Sequence, residues 1–143
     1  MSHQILLGID PGIADTGYGL VKIEPGKNPQ CLAYGSIQTS LRLDLPTRLF
    51  ELQQKLEAVI KKYKPSAAAI EQLFFNKNTK TALIVGQARG VALLTLKQNN
   101  LPIYEFTPGQ VKQAVSCYGR ADKCQVQRMV KMLLNLKELP RPD

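Results

Sequence analysis

Ile5-Leu-Leu-Gly-Ile9 is a short apolar run stopped by Asp10-Pro11-Gly12, and it reads as a buried strand closed by turn residues. A second run, Thr16 to Ile23, alternates around Gly17 and Gly19 and closes at Pro25-Gly26, and a third extends from Cys31 to Thr39. Three strands before any helix predict an antiparallel meander. The period then changes. Leu45, Leu49, Leu52, Leu56, Val59 and Ile60 recur at helical spacing, with Asp44 and Pro46 as start signals and Pro65 beyond the end, which gives an amphipathic helix of about four turns. Ala67-Ala-Ala-Ile-Glu71 is short and apolar and follows that helix, so it reads as a strand despite alanine's helical preference. A helix from about Thr79 to Gln98 carries Leu83, Gly86, Gly90, Val91 and Leu94 on one side. After it come a strand from Pro102 to Phe106 and a helix opening at Thr107-Pro108 and running to about Tyr118. Asp122 caps a last helix, which is expected to turn Val126, Met129, Val130, Leu133 and Leu134 toward the core.

Three strands, a helix, and then strands alternating with helices describe an α/β chain with a mixed five-stranded sheet flanked by helices. The ribonuclease H-like fold has this order. In it the first and fourth strands are parallel neighbours, and their C-terminal ends lie side by side where open sheets bind ligands. At 143 residues, the chain 1–143 is expected to form one such domain.

The charge restricts the partners. Lys and Arg number 19 against 11 Asp and Glu, a formal balance of +8, which favours a polyanion such as nucleic acid, although a solvated positive face gives the same sum. Between Glu71 and Glu105 there is no acidic residue, while Lys77, Lys80, Arg89 and Lys97 supply positive charge, the pattern of a phosphate track. Cys31, Cys117 and Cys124 are scattered and unaccompanied by a histidine cluster, His3 being the sole histidine, so they read as reduced thiols and not as a zinc site. No apolar run approaches the ~20 residues of a membrane helix, and the N-terminus lacks a signal-peptide pattern, so the expected location is cytoplasmic with no membrane partner.

Asp10 and Glu71 are the residues with chemistry in them. Asp before Pro-Gly is commonly a turn former, accepting hydrogen bonds from the amides that follow. Glu71 has no turn to explain it, and an unpaired glutamate ending an apolar strand is costly to bury. If the first and fourth strands adjoin, the two carboxylates share one crevice and repel unless a cation neutralises them. Oxygen ligands with open positions suit magnesium completed by substrate phosphate, and two ions about 4 Å apart suit phosphodiester cleavage.

Five strings in order carry a resemblance over nearly the whole chain: Gly8-Ile9-Asp10-Pro11-Gly12 with Thr16-Gly17-Tyr18-Gly19, Ile70-Glu71-Gln72-Leu73-Phe74, Gly86-Gln87-Ala88-Arg89-Gly90, and Gln110-Val111-Lys112-Gln113. Together they resemble the RuvC family of Holliday-junction resolvases. The resemblance implies a magnesium-dependent endonuclease, with two ions per site, that makes paired nicks in four-way DNA junctions during recombination and repair. It implies that Asp10 and Glu71 are two of four metal-binding carboxylates, that Lys112 and Lys123 face the scissile phosphate, and that Phe74 inserts between bases. Lys77, Lys80 and Arg89 are the residues expected on DNA phosphates. A two-fold homodimer, to which the helix bearing Gly86 and Gly90 contributes, and association with a branch-migration helicase complex are implied as well.

The family's two further carboxylates stand in a closing helix, in a segment of the type Asp-x-x-Asp. Asp143 is either the first residue of that segment or lies just before it, so it is the candidate third ligand, and the chain reads as a C-terminally truncated form lacking the closing helix and poor at catalysis. Three other readings compete. One is a module that binds junctions without cutting. Another is a structured-RNA nuclease on the same fold. The third is an actin-like nucleotide binder using Asp10-Pro11-Gly12, which would need a second domain.

Overall fold

The computed structural model describes residues 2–72, 78–116 and 121–141. β1 (Gln4–Asp10), β2 (Asp15–Ile23) and β3 (Gln30–Gln38) form the expected antiparallel meander. α1 (Leu45–Tyr63), β4 (Ala67–Glu71), α2 (Thr79–Gln98), β5 (Ile103–Phe106), α3 (Pro108–Ser116) and α4 (Lys123–Leu133) follow. The five strands make one sheet in the order β3-β2-β1-β4-β5, with β4 parallel to both β1 and β5. This is the mixed sheet flanked by helices that the sequence predicts.

Local chemistry sets the boundaries. The Asp44 carboxylate accepts from the Thr47 N–H at 3.1 Å to start α1, and Lys64 in the left-handed conformation (φ 49°) ends it before Pro65. That helix has 19 residues, about five turns and not four, because the apolar period continues past Ile60 until the chain turns at Lys64. Thr107 caps α3, its hydroxyl accepting from Gln110 N–H at 3.0 Å while the Gln110 side chain accepts from Thr107 N–H at 2.8 Å. Asp122 and Gln125 form the same reciprocal cap on α4.

The core fills the space between one sheet face and α1 with α2. Leu7, Leu20 and Ile70 meet Leu52, Leu56 and Leu96 there, all essentially inaccessible, and each fully buried leucine is worth ~2 kcal/mol. Ala88 and Ala92, also fully buried, let α2 pack closely. On the other face the expectation for α4 holds in part: Val126, Val130 and Leu134 turn toward the sheet without being buried against it. No residue of α4 is buried, Leu133 is 49% exposed, and Val126, Met129, Val130 and Leu134 are half-buried. Between α4 and the sheet surface that bears Gly8, Gly19, Ala33 and Ala69 lies a cavity of about 550 Å³. Among the described residues no helix is long and apolar enough to cross a membrane.

Candidate metal-binding active site

Asp10 closes β1 and Glu71 closes β4. These strands run parallel with Ile9 opposite Ile70, so the next pair in register is the two carboxyls. They sit close enough that the charge of Asp10 favours a proton on Glu71. Burial first, then the charge of Asp10 and the hydrogen bond to it, push the half-buried Glu71 carboxyl from its ordinary 4.5 up to about 7, against the opposing charge of Lys112. A hard divalent cation can take the place of that proton, because two carboxylates offer oxygen donors and little else. Among the described residues no group of three His, Cys, Asp or Glu side chains is arranged to hold a metal, so Asp10 and Glu71 stand as a pair.

The turn that carries Asp10 is held from three sides. Thr16 is fully buried; its hydroxyl donates to the Gly12 carbonyl and accepts from the Gly12 N–H at 3.2 Å. Gly12 has to be glycine, since a Cβ there would lie 2.4 Å from the Asp15 carbonyl oxygen. The Thr39 hydroxyl donates to the Ile13 carbonyl and accepts from Arg48 Nε at 3.1 Å, so a buried arginine on α1 braces the turn through the residue that follows β3. Arg141 reaches back from the far end of the described chain to pair with Asp15 at 2.7 Å. Sequence reasoning missed Thr39, Arg48 and Arg141, because each acts across a distance that no local spacing signals.

Lys112, on α3, acts on Glu71 by its charge and is half-buried beside the pair. Lys123 opens α4 and is exposed, as is Lys80 in the first turn of α2. Arg89 bonds to the backbone carbonyl of Glu71 at 3.3 Å and to Glu105 at 2.7 Å. Phe74, Lys77 and Asp143 lie outside the described residues.

Two carboxyls at the ends of adjoining parallel strands, faced by a lysine from α3, define an acidic centre of the ribonuclease H-like class. The family model described as Crossover junction endodeoxyribonuclease RuvC matches residues 6–143, and the chain belongs to that family. Among its relatives, the crossover junction endodeoxyribonuclease RuvC of Caldicellulosiruptor saccharolyticus is 54% identical over 138 residues, 96% of this chain and 83% of that protein. The counterpart from Alkaliphilus metalliredigens is 55% identical over 140 residues, 98% of this chain and 85% of that one. The structure of T. thermophilus RuvC in complex with Holliday junction substrate superposes with a TM-score of 0.90 at 34% identity, over 98% of this chain and 85% of that one. The yeast mitochondrial Holliday junction resolvase Ydc2 shares the fold, with a TM-score of 0.65 at 18% identity over 91% of this chain and 60% of that one.

Proposed function

We propose that this chain is a magnesium-dependent endonuclease that cuts four-way DNA junctions by paired nicks. The observation that carries the reading is the Asp10–Glu71 pair, an acidic site on a chain whose formal charge is +8. Such a pair opposes a phosphate until a cation enters. The T. thermophilus relative in complex with a Holliday junction supports the choice of substrate.

Asp10 and Glu71 are the residues that would hold the ion, with Glu71 in its ionised form. Bound there, one or two magnesium ions supply Lewis-acid stabilisation of charge on a phosphodiester. Thr16 and Gly12 hold the turn that carries Asp10, so little reorganisation would be needed for its carboxylate to serve as a ligand. Lys112 offers its charge on the same side and steadies a phosphate against Glu71, and Lys123 serves the same phosphate. Asp143 is proposed as a further ligand, Phe74 as the ring that stacks between unpaired bases, and Lys77 and Lys80 as phosphate contacts.

Paired nicks need two sites related by a two-fold axis, and α2 presents a suitable surface. Leu83 and Leu94 are 69% and 57% exposed, and a Cβ at Gly90 would meet nothing within 4 Å. Glycine inside a helix costs ~1 kcal/mol, and nothing among the described residues requires it at position 90, whereas a partner backbone lying against it would.

The test incubates the chain with a synthetic four-way junction and a linear duplex of the same sequence, with magnesium and with chelator. Magnesium-dependent nicks at symmetric positions, confined to the junction, are expected. Equal cutting of both DNAs, or selective cutting of structured RNA, overturns the choice of substrate.

A further inference from the structure

Pro11 creates a hydrogen-bonding problem for the backbone of Glu71. Ala68 and Gln72 donate their N–H groups to the carbonyls of Pro102 and Phe106 at 2.9 and 2.7 Å, so alternate residues of β4 face β5, and Glu71, lying between them in alternation, faces β1. In a parallel ladder a carbonyl accepts from the residue one beyond its register partner. With Ile9 opposite Ile70, the donor owed to Glu71 is residue 11, a proline with no N–H. A buried carbonyl left without a donor costs on the order of 1–3 kcal/mol.

Arg89 supplies the missing donor. Its Nε donates to the Glu71 carbonyl at 3.3 Å, and its Nη2 donates to Glu105 Oε1 at 2.7 Å. The side chain is only 17% exposed, which is little for a residue meant to meet a DNA phosphate. Its charge is matched by Glu105, on the neighbouring strand, and the cation that acts on the Glu71 carboxyl is Lys112. Arg89 therefore touches Glu71 through the main chain, at the residue where β4 stops.

We infer that Arg89 is a positioning residue for Glu71, anchored by Glu105, that holds the end of β4 so that the metal-binding carboxylate points into the site, and that it is not a phosphate contact. The inference deepens the nuclease reading above and rests on it for the role of Glu71.

The test uses Arg89→Gln, Glu105→Gln and the double variant, with Mn2+ binding to the DNA-free protein followed by the loss of the free-ion electron paramagnetic resonance signal. Junction affinity is measured across a salt series in chelator, and the nicking rate at saturating junction. Outer contacts to metal ligands typically change affinity or activity about 10–100-fold, so Arg89→Gln is expected to weaken Mn2+ binding roughly tenfold and to lower the saturated rate similarly, with junction affinity unchanged. Glu105→Gln moves both in the same direction by less, and the double variant is no worse than Arg89→Gln. A phosphate contact predicts the reverse pattern: Arg89→Gln weakens junction binding and lowers the salt slope by about one, Mn2+ affinity holds, and Glu105→Gln tightens the junction by releasing the guanidinium. That result overturns the inference. Should Arg89→Gln not fold, Glu105→Gln decides alone, since the two roles predict opposite signs. A parent chain that binds Mn2+ but nicks nothing removes the nuclease reading while the Mn2+ comparison still judges Arg89; a parent with no Mn2+ affinity removes both.

Discussion

Replacing Asp10 by asparagine keeps the shape of the side chain at the end of β1 and removes its charge, so the variant isolates the repulsion built into the site. Raising Glu71 from 4.5 to about 7 sets roughly 3 kcal/mol against its ionised form, at about 1.4 kcal/mol per tenfold change in proton affinity. Burial is the largest cause and stays in the variant. The share owed to Asp10 is smaller and is screened by solvent at this half-exposed position, which leaves ~1 kcal/mol to be recovered. The sign follows from linkage. A carboxyl whose folded pKa is raised costs nothing below 4.5, where both states hold the proton, and destabilises progressively as the pH rises through 7. Asp10→Asn and the parent are therefore expected to melt together near pH 5 in chelator. Near pH 8 the variant should melt ~3–5 °C higher. Excess magnesium should raise the parent and leave the variant where it was. A gap of equal size at both pH values, or a parent that is the more stable at pH 8 without metal, would refute the argument that the two carboxyls oppose each other.

Glu71→Gln should lower magnesium-dependent nicking by about a hundredfold or more while a gel-shift assay finds the junction bound as before. Thr16→Val keeps the buried volume but strands the Gly12 amide and carbonyl, so denaturant unfolding should report a loss of about 1–3 kcal/mol and nicking should fall with it. Lys80→Ala should reduce the slope of log affinity against log salt by about one, without changing the rate at saturating junction. Leu83→Glu with Leu94→Glu should convert a dimer to a monomer in light scattering, and an unchanged mass would exclude α2 as the interface.

The strand order was legible because each period ended in a strong punctuation mark: Asp10-Pro11-Gly12, Pro25-Gly26, Pro65 and Thr107-Pro108. The strand Ala67–Glu71 could be read through its alanines because it was too short and too apolar for a helix in that place, and its register then set Glu71 beside Asp10. The apolar stripe of α4 was visible too, but a periodic stripe says which side is oily and not whether anything lies close enough to cover it. The surface opposite, which includes Gly8, Gly19, Ala33 and Ala69, belongs to strands far away in sequence. Arg89 shows the other limit. It reads as a phosphate contact because it lies in an interval free of acids, and no local spacing signals that Glu71 and Glu105, the two acids bounding that interval, return in space to meet it. Lys112 came from the resemblance alone, since its distance from Glu71 depends on how α3 leaves β5.

The sheet changes character between β1 and β4, where antiparallel pairing gives way to parallel, and the acidic pair straddles that seam. The meander on one side pairs neighbours in the chain and closes short loops. The other side waits until all of α1 has been laid down, because β4 reaches β1 only by crossing over it. The Asp10–Glu71 contact therefore closes a longer loop than any pairing in the meander, and a contact of that kind is expected to form late. Interactions made after the barrier act on the rate of opening and hardly at all on the rate of closing. A cation held by the two carboxylates would be, in those terms, a latch: it would leave the speed of assembly alone and lengthen the life of the assembled sheet.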